Sequence, residues 1–338
     1  MQMLSYLYLT STEFTAPTVS GEAAKYLPED NASFGAGLLQ IIKKGIEYMN
    51  PSMTDAIRVC ISLMAIVMLI IILNTIVKSG AQVPQLIGTV AISLALIQPS
   101  NTLIQLGVAT VEKLSDYGKL LLPVMTAALA AEGGITASAG LYTATAVFNT
   151  ILLSAISKLI IPLIYCYIVV SIAKNATQNQ LLSNISKFMK WALTWTLKII
   201  IYVFTGYVAI TGVVNGTVDA SAVKATKLAL SGAVPVVGSI LSDASETVLI
   251  SAAFVKNSAG ITGLFAILSL WIGPFLQIGV QYVFLKLTAG LCGVFGDTKA
   301  SDLVKDFSSA LGFLLAAVGT MCLLLLISTF CFMRGISG

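Results

Sequence analysis

Histidine is absent from this chain, and charge is scarce: only 10% of its 338 residues are Asp, Glu, Lys or Arg. Without an imidazole, neither the usual serine–histidine relay nor a histidine-ligated zinc site can be built, although a serine and lysine pair stays formally possible. The sequence also lacks a GxxxxGK[ST] phosphate loop, a GxGxxG following a strand, an HExxH and a GxSxG. An ATP-driven step would need its motor on another chain, and enzyme activity is not expected. Five cysteines, Cys60, Cys166, Cys292, Cys322 and Cys331, lie in or beside apolar segments and form no CxxC pair. They read as small apolar fillers, so no metal and no cofactor is expected.

What the chain has in excess is apolar surface, with 57% hydrophobic residues and a mean hydropathy of +0.92. In water that excess would have to be exposed; a lipid bilayer removes the conflict. The 19 basic and 15 acidic residues give a net charge of +4 and are spread thinly, which argues against nucleic-acid binding. They mark loops and membrane edges instead. The expected fold is all-α, a polytopic integral membrane protein. About six crossings form its core, and short extra helices bring the count to between six and eight, some broken or re-entrant. Residues 1–50 form a polar N-terminal region with an amphipathic helix, and residues 51–338 the polytopic transmembrane domain.

Along the chain, the opening MQMLSYLYLT has no basic leader and makes a poor secretory signal. GAGLLQIIKKGIEYM, residues 35–49, reads as an interfacial helix with Leu38, Leu39, Ile42, Ile46 and Met49 near one face, in preference to a soluble helical hairpin. Residues 56–77 are long enough to cross hydrocarbon. A second segment, residues 86–108, is interrupted by QPSN at Pro99, which reads as a kink or a helix end. Residues 120–130 are too short to span. Residues 139–173 exceed one perpendicular crossing and are divided by Pro162. A polar loop, SIAKNATQNQLLSNISKFMK, leads into a span over residues 191–214. Lys174, Lys187, Lys190 and Lys198 around it, with Trp191 and Trp195 at belt level, make this loop the best cytosolic marker. Residues 261–291 carry Gly273 and Pro274 as a bend, GDTKASDLVKDF is a polar connection, and residues 308–332 form the last span.

The least ordinary region is residues 217–258, with Asp219, Lys224, Lys227, Asp243, Glu246 and Lys256 between apolar pieces. SGAVPVVGS sets Pro235 between Gly232 and Gly238, a composition suited to a helix break shielded inside the membrane; an amphipathic surface helix pair is the alternative. In SDASET, Asp243 and Glu246 share a helix face that could line water, pair with Lys224, Lys227 or Lys256, or hold a partner's basic residue. The same residues could equally cap a solvated helix. Gly212 and Gly216 have the GxxxG spacing of close helix contacts. A faint similarity links residues 119–140 with residues 228–249, a pattern seen in transport folds, though shared low complexity accounts for it better.

FTGYVAITGVVNG at residues 204–216, SGAVPVVGSILSDASETVL at 231–249, VKNSAGI at 255–261, PFLQIGVQYVFLKLTAGLCGVFGD at 274–297 and LLLPVMTAALAAEGG at 120–134 closely resemble the stage III sporulation protein AE family of endospore-forming bacteria. The resemblance covers residues from about 50 to the C-terminus. It implies a multi-pass, permease-like subunit in the mother-cell membrane around the forespore, within a channel or feeding-tube complex required for sporulation. Its implied partners are other proteins of the stage III sporulation A operon, including a cytosolic ATPase and ring-forming membrane proteins, and indirectly a forespore membrane protein. A non-conducting scaffold that assembles those rings and the ATPase is the alternative. The family offers no catalytic residues to carry over. Its members are expected to begin with a cleavable signal and a longer exported region, for which residues 1–50 are short, so the side of the N-terminus stays open.

Overall fold

The computed structural model describes residues 16–19, 21–28, 34–76, 83–131, 135–177, 179–214 and 258–336. Among the described residues there are helices and no strands. A short 3-10 helix, Gly21–Tyr26, precedes α1 (Phe34–Glu47), α2 (Asn50–Ile76), α3 (Val83–Ala131) and α4 (Ile135–Ala155). A π-turn, Ile156–Ile160, then joins α4 to α5 (Ile161–Thr177), followed by α6 (Gln180–Val214), α7 (Ser258–Val294) and α8 (Thr298–Ile336). Among the described residues, five stretches are long and apolar enough to cross a membrane: α2, most of α3, α4 with α5, α7 and α8. The expected crossing over residues 191–214 falls within α6. The protein is therefore an all-α polytopic membrane protein, and any further crossing in residues 215–257 lies outside the described residues.

The axis of the bundle is α8, which exposes no large apolar side chain among its described residues. Its N-terminus is fixed by a tight connection to α7. Gly296 takes φ +87°, its N–H donates to Gly293 O at 3.1 Å, and the Asp297 N–H donates to Cys292 O at 3.2 Å. This double closure caps α7 through a left-handed residue that only glycine adopts without strain. Asp297 then caps α8, its carboxylate accepting the Ala300 N–H at 2.9 Å. The pair α7–α8 is thus an antiparallel hairpin, and its connecting residues define one end of the molecule, here called the turn end.

Small residues let the long helices close on one another. A methyl placed on Gly107 would meet Leu314 at 2.6 Å, one on Gly118 would meet Leu325 at 2.7 Å, and one on Gly263 would meet Leu121 at 2.9 Å. These contacts run α3 parallel to α8 and antiparallel to α7, in the small-residue manner by which helices associate without water to drive them. Threonine and serine hydroxyls, including Ser93, Thr110 and Thr329, donate to the carbonyl four residues earlier, which satisfies them inside apolar surroundings.

Several expectations need correction. The QPSN segment neither ends nor splits a helix: α3 runs 49 residues through both Pro99 and Pro123 and absorbs the short segment 120–130. Each proline removes one ladder bond, and packing on α8 supports the rest. At roughly 1.5 Å per residue, α3 is about 74 Å long, more than twice the hydrocarbon thickness. Glu112, Lys113, Asp116 and Lys119 form an exposed face on it that does not border hydrocarbon. In the polar segment 171–190 every described residue but Asn179 is helical, and the Asn179 carboxamide oxygen accepts the Leu181 N–H at 2.8 Å. GDTKASDLVKDF is a connection only at Gly296 and Asp297, and from Thr298 it forms the first turns of α8. In both segments the polar residues mark helix faces rather than loops.

Pro162 lies two residues beyond the π-turn, in a helix that continues from α4 into α5, so the irregularity of this long crossing sits just before the proline. Helix α1 lies against α7, but with Phe34, Gly37, Leu38, Ile41 and Gly45 buried; Leu39 and Ile46 of the expected face are exposed. Its apolar arc is wide enough to hold α7 with one edge and present the other outward.

Candidate functional site: a lysine-lined groove

At the turn end, α5, α6 and α8 diverge and enclose a groove of about 460 Å³. Helical spacing dictates its lining. Tyr167 and Lys174 are seven residues apart on α5, Lys299, Asp302 and Asp306 follow the same stripe of α8, and Ser183, Ser186, Lys187 and Lys190 share one side of α6. Asn175, Asn179 and Gln180 complete the polar wall, and Lys305 stands at the rim of α8.

The floor is an ion pair. Lys174 Nζ lies 2.5 Å from Asp306 Oδ2, and the Tyr167 hydroxyl donates to Asp306 Oδ1 at 2.9 Å. Both carboxylate oxygens are engaged, as a charge so far out of water requires; the two side chains retain only 21% and 13% exposure. The Tyr167 ring stands edge-on to Phe313 at 6.2 Å, closing the groove against the apolar interior. Above this floor, Lys190 Nζ donates to Ser309 Oγ at 3.3 Å and Lys299 Nζ to Gln85 Oε1. Five lysines face two aspartates. With Lys174 and Asp306 matched, the remaining groove is strongly positive, and its low-dielectric walls concentrate that field.

The opposite side of α6 is apolar and aromatic. Phe188 and Trp191 stack with ring centroids 5.7 Å apart, Trp195 follows at 6.2 Å, and Lys198 sits over the Trp195 ring. Trp191 and Trp195 are 54% and 44% exposed, as the expected interfacial belt would be.

Of the residues singled out from the sequence, the basic flank Lys174, Lys187 and Lys190 lines the groove. Gly232, Pro235, Gly238, Asp243, Glu246, Lys224, Lys227 and Gly216 lie outside the described residues, and Gly212 is in the last turn of α6. Among the described residues there is no cluster of metal-binding side chains.

The sequence model described as Stage III sporulation protein AE matches residues 27–334, nearly the whole chain. This chain belongs to the stage III sporulation protein AE family. It is similar to the Stage III sporulation protein AE of Bacillus subtilis (strain 168), with 20% identity over 218 residues, covering 64% of this chain and 55% of that protein. The chain thus spans about half the length of the relative it matches. No solved structure matches it. The matched residues include all those lining the lysine-lined groove, so the groove lies within the part that carries the family match.

Reading the sequence one residue at a time missed Tyr167 and Asp306. The signal was available in spacing: Tyr167 with Lys174, and Lys299 with Asp302 and Asp306, each fall on one face of a helix.

Proposed function

We propose that this chain is the permease-like membrane subunit of a mother cell to forespore channel complex, in the mother-cell membrane, with the lysine-lined groove as the mouth of its path. It is a non-catalytic role. The carrying observation is the groove itself: a charged opening of about 460 Å³ that lies between α5, α6 and α8 and stops on the Tyr167, Asp306 and Lys174 network. Charged side chains are costly inside membrane helices and are placed where a polar path or partner needs them. The sporulation name of the family and relative supports the cellular setting. Partners in this reading are the co-encoded ring-forming membrane proteins and a cytosolic ATPase, which would supply the energy this chain has no motif to harvest.

A scaffold reading has its own support, because the α3, α7 and α8 seams are filled with Leu121, Leu264, Leu314 and Leu325. Ser186→Cys, in a background with the five native cysteines replaced, separates the two. Attaching a bulky thiol reagent at this groove position should block forespore development while the partners still co-purify. Normal development with the groove occupied would exclude the conduit, and loss of co-purification would favour the scaffold.

A further inference from the structure

We infer that the groove is a binding site for a multiply charged, phosphate-bearing anion. Lysines reach it from three helices, and convergence from separate elements is what distinguishes a site from a solvated helix face. Lys187 of α6 and Lys305 of α8 have no hydrogen-bond or ion-pair partner among the described residues, so their ammonium groups are available to a ligand. Lys190 and Lys299 hold only neutral oxygens, those of Ser309 and Gln85. Asp302 is the opposing charge, outnumbered by these four. Asp306 offers no repulsion, because Lys174 and Tyr167 cover both of its oxygens.

The N-terminus of the 35-residue α6 borders the same space through Asn179, Gln180 and Ser183, adding the positive end of a long helix. Lysine serves phosphate as a mobile point charge rather than a planar fork, and several of them suit a ligand carrying two or more charges. The volume of about 460 Å³ is that of a small-molecule pocket.

A phosphate group reaches such a site either dissolved in water or on a lipid. The geometry favours the dissolved form. The exposed apolar residues Leu181, Ile185 and Phe188 of α6 lie across the helix from Ser183, Ser186 and Lys190, with Lys187 and Trp191, one turn apart, at the boundary between the two faces. Lipid therefore meets one face of α6 while the groove lies behind the other.

This inference deepens the conduit reading by giving its cargo a chemical class. Its test measures binding alone, so failure here removes the cargo class, whereas the Ser186→Cys experiment judges the conduit. The full chain is reconstituted in phosphatidylcholine nanodiscs at low salt and titrated with sodium tripolyphosphate, following heat of binding and melting temperature. Saturable binding and a raised melting temperature are expected. Lys187→Ala with Lys305→Ala should weaken binding about tenfold or more, equivalent to losing roughly one good charge contact. Lys187→Arg with Lys305→Arg should retain it, which controls for folding. Rising ionic strength should weaken it further. A second series contains phosphatidylglycerol. If the alanine-sensitive stabilisation comes from that lipid and tripolyphosphate adds nothing, the headgroup is the source. No saturable response to either, or equal responses from the wild-type and alanine proteins, would overturn the proposal.

Discussion

At the scale of single residues, Asp306 governs the groove floor. Asp306→Ala would strand the Lys174 ammonium and the Tyr167 hydroxyl in a space with little water. Breaking one side of a buried pair costs about 3 kcal/mol or more, so the variant should melt clearly below the wild type in detergent. Lys174→Met combined with Asp306→Leu removes both charges and should recover most of that loss. Equal melting of the wild type and Asp306→Ala would show that the pair is hydrated and not a floor. The two partners stand 132 positions apart in the chain, so no local pattern connects them. Lys174 was legible as a basic flank of a span. Asp306 was hidden inside what read as a polar connection, because composition alone does not separate a helix face from a loop.

Among elements, the seat of α1 on α7 depends on Gly37. A methyl group there would sit 2.3 Å from the Phe265 ring, which also stacks on Phe34 with centroids 5.6 Å apart. Gly37→Ala should force that ring aside at about 1–3 kcal/mol, the usual cost of overpacking. The expected result is faster proteolytic cleavage near α1 with α2 to α8 unchanged; an unchanged cleavage rate would show that α1 contributes little to the bundle. The sequence made α1 legible as an amphipathic helix, since three- and four-residue spacing is a strong signal. It did not reveal which edge would be buried, because Gly37 and Gly45 look like interruptions until Phe265 and Ile272 fill the space they leave. Proline misled in the same way. Pro162 follows a π-turn, yet Pro99 and Pro123 sit within a continuous α3, since tertiary packing decides whether one missing bond disturbs the helix.

For the whole molecule, the membrane-spanning all-α fold followed directly from apolar excess and run length. The groove did not, because it forms where three distant helices part. Orientation joins the two scales. Lys174, Lys187, Lys190, Lys299 and Lys305 gather at the turn end, and by the positive-inside rule that gathering predicts that this end faces the cytosol. The function proposed for this family member needs that assignment, since the groove must open toward the compartment that supplies the cargo.

The most direct measurement is the accessibility of Ser183→Cys, a groove position on α6, with the five native cysteines replaced. A membrane-impermeant maleimide is applied to sealed inverted vesicles and to sealed right-side-out vesicles. The prediction is rapid labelling in inverted vesicles and none in right-side-out vesicles until they are permeabilised. Labelling of intact right-side-out vesicles, or of neither preparation even after permeabilisation, would contradict a water-filled groove facing the cytosol.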